Sequence, residues 1–264
     1  VVEVYLGSDS PVQPAVVDAV RRYGEFKVNG VPFRDERFRH STLLAAVAAG
    51  RYHVALQSGH HHPRPPQAWL WPSAALMLRN GPPMPVQPLT PVRLAAVTAS
   101  LEKIGNLLPE WVPLLALPVR YALLSPSRGA ISASSRMWPQ HVLLAEAAFV
   151  SERELREQLV HELCHQWLYL VQELWTLADP QAEEVTLPSG TPGRAPDEVL
   201  GAAHVAAALI RLYRASCDGP RGRIEHLIGY GNACLESAHG LTDAGTRLAE
   251  RLGAALNGLE ERSS

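Results

Sequence analysis

The chain reads as an α+β protein, predominantly helical, with a small β-sheet beside one long histidine-bearing helix. Three observations predict this. Apolar residues recur at helical spacing through 152–177, 197–215 and 232–259, the last with a break near Gly240. The runs 119–124, 129–135 and 141–146, together rich in Val, Leu and Ile and separated by turn residues, have the length and composition of strands. Nine prolines from Ser58 to Pro91 exclude long regular structure from that stretch.

Taken in order, 1–6 is an apolar run fit for a strand, and Val16, Val17, Val20 and Tyr23 give 14–23 a helical face closed by Gly24. A second helix over 35–49 carries Phe38, Leu43, Leu44 and Val47 and again ends at a glycine, Gly50. The proline-rich stretch leaves room for a short helix near 68–78. It marks a connection between an N-terminal α/β subdomain, 1–90, and a larger region, 91–264, unless the two form one continuous domain. His60, His61 and His62 lie within it; adjacent histidines cannot all face one ion from a regular element, and Gly59 and Pro63 flank them, so an exposed loop is expected. Helices over 92–107 and 109–116 precede the strands. No internal repeat is visible.

Composition narrows the partners. At 264 residues the chain can bury a substantial core. The net charge of −2 and the scattered Lys and Arg offer no basic stripe, which argues against nucleic acid. No apolar run reaches the length of a membrane span, and the N-terminus lacks the regions of a secretory signal. Cys164, Cys217 and Cys234 form no C-x-x-C pair, so a reducing cytoplasm is the expected compartment. The chain opens on Val1 rather than an initiator Met, as a trimmed chain or one domain of a longer polypeptide would.

The chemistry concentrates in 151–177. Ser151-Glu152-Arg153-Glu154 has the form of a capping box, so a helix starts there, and Asp179-Pro180 stops it. Within it stands His161-Glu162-Leu163-Cys164-His165. Histidines at i and i+4 project from one face and can meet at one ion, which makes this a zincin-like metal-binding helix. Two imidazoles on so apolar a helix would each cost about 1–3 kcal/mol if left without a partner, which argues against an idle pair. Glu162 is placed to take a proton from metal-bound water or to support a ligand. Cys164 is expected to be a packed thiol.

A catalytic centre needs a third protein ligand. The candidates are Glu183 or Glu184 in a polar stretch, Glu198 at the start of the helix opened by Pro196, and His204 inside that helix. A carboxylate in a first helical turn is explained by the helix dipole, whereas a histidine among Leu200, Ala203, Ala207 and Ala208 calls for a partner. His204 is therefore the favoured ligand and Glu198 the alternative.

Three segments carry a resemblance: 131–136, with Ser134-Ser135-Arg136; 159–165 on the metal helix; and Gly193-Arg194-Ala195-Pro196 followed by Leu200 and His204. In this order they are similar to the α-ketoglutarate-dependent HExxH-type peptide β-hydroxylases, which modify ribosomally made peptides in bacteria and occur alone or fused to a radical enzyme domain. The resemblance covers about 92–214. It implies an Fe(II) centre on His161, His165 and His204, with α-ketoglutarate and O2 as co-substrates and hydroxylation of a side-chain Cβ in a peptide. It also implies an arginine for the distal carboxylate of the co-substrate, Arg194 first and Arg136 second. Two other readings share the helix: a zinc metallopeptidase with His161, His165 and Glu198 as ligands and Glu162 as general base, and a non-catalytic module whose metal is structural.

Overall fold

Proline and glycine placement sets the element boundaries in the computed structural model, which describes residues 40–59, 66–78, 87–124, 129–220 and 222–260. The strand expected at 1–6, the helix at 14–23 and the histidines at 60–62 lie outside them. Helix α1 spans His40–Gln57, a 3-10 turn Pro66–Leu70, and α2 Pro72–Met77. The single helix expected at 68–78 is thus two pieces, because Pro72 holds Trp71 extended at φ −72° and ψ 138° and restarts the helix behind it. Gly50 does not end α1 as expected. An interior glycine costs about 0.5–1 kcal/mol. Set against that cost is Arg51, the next residue, which is buried and holds Glu173 through two bonds of 2.8 and 2.7 Å.

After β1 (Gln87–Pro88) come α3 (Pro91–Leu107), a 3-10 turn (Pro109–Trp111) and α4 (Val112–Leu115), close to the expected helices. Strands β2 (Arg120–Leu123), β3 (Ser132–Ser135) and β4 (Trp138–Leu144) fall within a few residues of the expected runs. The sheet order is β1-β2-β4-β3, with β2 parallel to β4 and the outer pairs antiparallel, so β3 is an edge. Strand β1 escaped the sequence reading because two residues, one of them proline, carry no periodicity.

Four helices complete the chain: α5 (Glu152–Leu174), α6 (Pro196–Ser216), α7 (Arg223–Ser237) and α8 (Asp243–Glu260). Ser151 Oγ accepts from the Glu154 amide at 3.1 Å, the cap read from the sequence. Helix α5 stops at Leu174, three residues short of the expected end. Trp175 turns extended there, and the chain crosses to the α7–α8 junction, where Thr242 N donates to the Leu177 carbonyl and Asp179 N to the Gly240 carbonyl. The break expected near Gly240 is that junction. Helix α7 begins nine residues before the expected 232, since Gly229 and Gly231 hide its first half from a propensity reading.

Helix α5 is the spine of the core. Leu155, Leu159 and Val160 pack with Val205 and Ile210 of α6, Ile104 of α3 and Val142 of β4. Nearer its C-terminus, Leu170, Val171 and Leu174 share a cluster with Leu43, Leu44 and Val47 of α1. Among the described residues no helix is long and apolar enough to cross a membrane.

The contact of the 175–179 segment with α8 supplies a test. A Cβ at Gly245 would sit 1.9 Å from the Leu177 carbonyl oxygen. Gly245→Ala is expected to cost about 1–3 kcal/mol through this overlap, outweighing the roughly 1 kcal/mol that alanine gains at an unconstrained helical site, and to lower the melting temperature. An unchanged or raised melting temperature would contradict the packing described.

Candidate metal centre

On α5 the positions His161, His165, Tyr169 and Gln172 follow helical spacing and so share one face. That face borders a cavity of about 570 Å³, also lined by Glu162, Arg136, Arg194, Asp197 and Glu198. The volume lies within the range of small-molecule and cofactor sites. Of the residues singled out from the sequence, His161, His165, Glu162, Arg136, Arg194 and Glu198 come together here. His204 does not.

The two histidine Nε2 atoms are 3.2 Å apart. Nitrogens bound at about 2.0–2.1 Å to one tetrahedral ion lie about 3.3–3.4 Å from each other, and in an octahedron about 2.9 Å, so the pair stands at ligand spacing. The rings meet edge to face, with centroids 4.9 Å apart at 65°. His165 is held from both sides. Tyr169 stacks on it at 6.1 Å and 17°, and α6 presses on its far edge at Gly201, where a Cβ would lie 3.3 Å from Nδ1. Burial, and then the charges of His161, His204 and Arg194, hold its pKa down to about 3, so the ring is a neutral donor.

Glu162 is 2% exposed. Ser132 Oγ, on edge strand β3, lies 2.6 Å from Glu162 Oε1 and also 2.6 Å from Gln158 Oε1; a hydroxyl has one proton, so it serves one acceptor at a time. Glu162 Oε2 is buried without a hydrogen-bond partner. Leaving a buried carboxylate oxygen so costs about 1–3 kcal/mol or more, which a proton, a water or a cation in the cavity would relieve.

Both arginines are held by acids on the first turn of α6. Arg194 reaches Glu198 Oε1 at 3.2 Å, and Arg136 reaches Asp197 Oδ2 at 3.4 Å. Glu198 Oε2 also accepts from the Ala195 amide at 3.0 Å, the first-turn role read from the sequence. Asp197 takes a further bond from Gln172 Nε2 at 2.9 Å. Among the described residues no three His, Cys, Asp or Glu side chains are grouped to hold an ion. The fit therefore rests on the histidine spacing and the orphaned Glu162 oxygen.

His204 lies about a third of a turn round α6 from the face that carries Glu198 and Val205. It lines a separate, more apolar cavity of about 590 Å³ with Cys164, Leu163 and Trp111. The partner that its apolar surroundings demanded is the Cys164 backbone, and burial holds its pKa down to about 4. The sequence reading passed over Tyr169, Gln172, Asp197 and Ser132. The first two were within reach, since they continue the His161–His165 face at helical spacing. Asp197 and Ser132 become neighbours of the pair only through tertiary folding.

Acidification should expose His204. Above pH 6.5 the ring is neutral in both folded and unfolded chains and contributes no pH dependence. Between pH 6.5 and about 4 the unfolded chain takes a proton that the folded chain refuses, so stability falls as pH drops through that window. Melting curves of the chelator-treated protein check this: His204→Phe should flatten part of the slope, and an identical slope would contradict the burial. No protein-family model and no curated protein matches this chain.

Proposed function

We propose that the chain is an Fe(II)- and α-ketoglutarate-dependent dioxygenase that hydroxylates a side-chain Cβ of a ribosomally made peptide in the cytoplasm. The observation that carries this reading is the 3.2 Å His161–His165 spacing in a cavity that two arginines also line. In a hydrolytic centre one cation suffices to steady an oxyanion. A dicarboxylate co-substrate engages a further one through its distal carboxylate.

Bound iron would supply oxygen activation coupled to decarboxylation of the co-substrate. The chain's own residues do the rest. His161 and His165 offer their Nε2 atoms, and Tyr169 and Gly201 fix the second ring. Glu198 is the acid in the cavity best placed to complete a two-histidine, one-carboxylate set, after giving up the Ala195 amide and Arg194. The same movement frees Arg194 for the co-substrate. Arg194 and Arg136 are 42% and 55% exposed, and ion pairs in such settings are worth about 1 kcal/mol or less, so a ligand carboxylate can replace Glu198 or Asp197. Glu162 Oε2, steadied through Ser132, can hold a proton at the cavity wall. For His204 to serve instead, it would have to leave the Cys164 backbone.

One observation favours a second reading. The unpartnered Glu162 oxygen beside the histidine pair also suits a general base in a zinc metallopeptidase. Anaerobic reconstitution with Fe(II), followed by assay of succinate formed from α-ketoglutarate under O2, separates the two. We expect succinate formation, abolished by His161→Ala and His165→Ala. Glu198→Ala should weaken iron binding far more than His204→Ala. Arg194→Ala should raise KM for α-ketoglutarate about 10–100-fold, the worth of a charge-assisted pair. Retained zinc, peptide cleavage and no succinate would give the site to the peptidase.

A further inference from the structure

The metal centre makes no use of the cavity that His204 lines. Val160, Leu163, Cys164 and Trp167 form its wall on α5, a different face of the helix from His161, His165 and Tyr169. The other walls come from α4, α6 and α8. At about 590 Å³ the cavity is of a size that takes small molecules, and its lining is predominantly apolar.

Small residues keep the space open. Ala207 and Ala208 of α6 and Ala254, Ala255 and Gly258 of α8 stand along it where longer side chains would close it. The three on α8 are exposed, so a small molecule can enter on that side without unfolding of the chain. Apolar space of this kind holds water poorly and accepts apolar guests in its place. Trp111 and Trp167 offer such guests aromatic surface. The Trp167 indole N–H is already taken by the Leu114 carbonyl at 3.1 Å, so it places no donor in the cavity.

Charge and polarity narrow the guest further. Arg211 in the wall is matched by Glu110 at 2.6 Å and lies over the Trp111 ring at 5.5 Å, so no unbalanced charge calls for an ion. His204 is the polar point that remains. Its ring donates to the Cys164 backbone, and burial holds its pKa down to about 4, so near neutral pH the second ring nitrogen is an acceptor. Among the described residues no further bond to that ring is made. A guest with an N–H or O–H supplies the missing donor. We propose that the cavity binds a small, neutral aromatic molecule that carries one such donor and gives it to His204. The proposal is independent of the chemistry at the histidine pair.

Calorimetric titration of the full chain with indole, and with benzofuran, which keeps the shape but has oxygen in place of the N–H, tests it. Indole should bind at a single site and benzofuran about tenfold more weakly, the worth of one hydrogen bond to an otherwise unpaired acceptor. His204→Phe should bring the two affinities together. Ala255→Trp, a change at an exposed position, should abolish binding of both by filling the entrance. Melting curves report the fold of each variant. Absence of indole binding, equal affinities in the unaltered protein, or binding that survives Ala255→Trp overturns the proposal. If His204→Phe does not fold, the contrast between indole and benzofuran and the effect of Ala255→Trp decide it.

Discussion

The rotation of α5 about its own axis is the constraint on which the candidate site depends. A slip of one residue turns the helix by about 100° and would carry both histidines away from the cavity. What prevents it lies about 100° round the helix from His165. Gln166, next to His165 in the chain, is buried; its Oε1 accepts from the Gln140 amide at 2.8 Å and its Nε2 donates to the His141 carbonyl at 3.0 Å. Gln140 sits in the left-handed region at φ 57°, a conformation that costs about 1–2 kcal/mol for a residue with a side chain. Its side chain answers with bonds to the Leu70 and Pro118 carbonyls and to Arg51 Nη1, each 2.6 Å. Arg51 then ties back to α5 at Glu173. Sheet, α1 and α5 are thus locked by one buried polar network that tolerates no partial assembly.

This division of labour explains what could be read from the chain alone. The HExxH spacing, the Ser151 cap and the apolar stripe of α5 are local signals, and each reappears where expected. The face of α6 that turns to α5 is not local. Leu200, Ala203 and Ala207 lie on one side and Ala202 and Val205 on another, so the helix is apolar nearly all round and has no phase to read. His204 looked like a ligand because a histidine in such a helix needs a partner. The need was real, and the Cys164 backbone meets it. What orients α6 is Gly201, whose missing side chain lets the helix close onto His165 and Leu168.

The acids that steady Arg136 and Arg194 show the same limit. Asp197 and Glu198 announce a helix start, and the sequence accounts for them by the helix dipole alone. Folding adds a second role, because β3 and the 185–194 turn bring both arginines to that helix end. Val185 and Arg194 pair through their backbones at 2.8 and 3.0 Å, which fixes where the Arg194 side chain begins. Such convergence of three chain segments leaves no periodic trace.

Formal charge in the cavity gives an order of events. Glu162, Asp197 and Glu198 outnumber Arg136 and Arg194 by one in formal charge, so the cavity favours a cation. A divalent ion would reverse the sign and leave the site attractive to a dianion, whose distal carboxylate would compete with Glu198 or Asp197 for an arginine. On the proposed reading, metal before co-substrate is the electrostatically favoured sequence, and the ion pairs on α6 would yield to the ligand. A hydrolytic centre needs only the first of these steps. On the proposed reading the second step is where the arginines would act, and it is the part of the arrangement that the histidine pair alone does not explain.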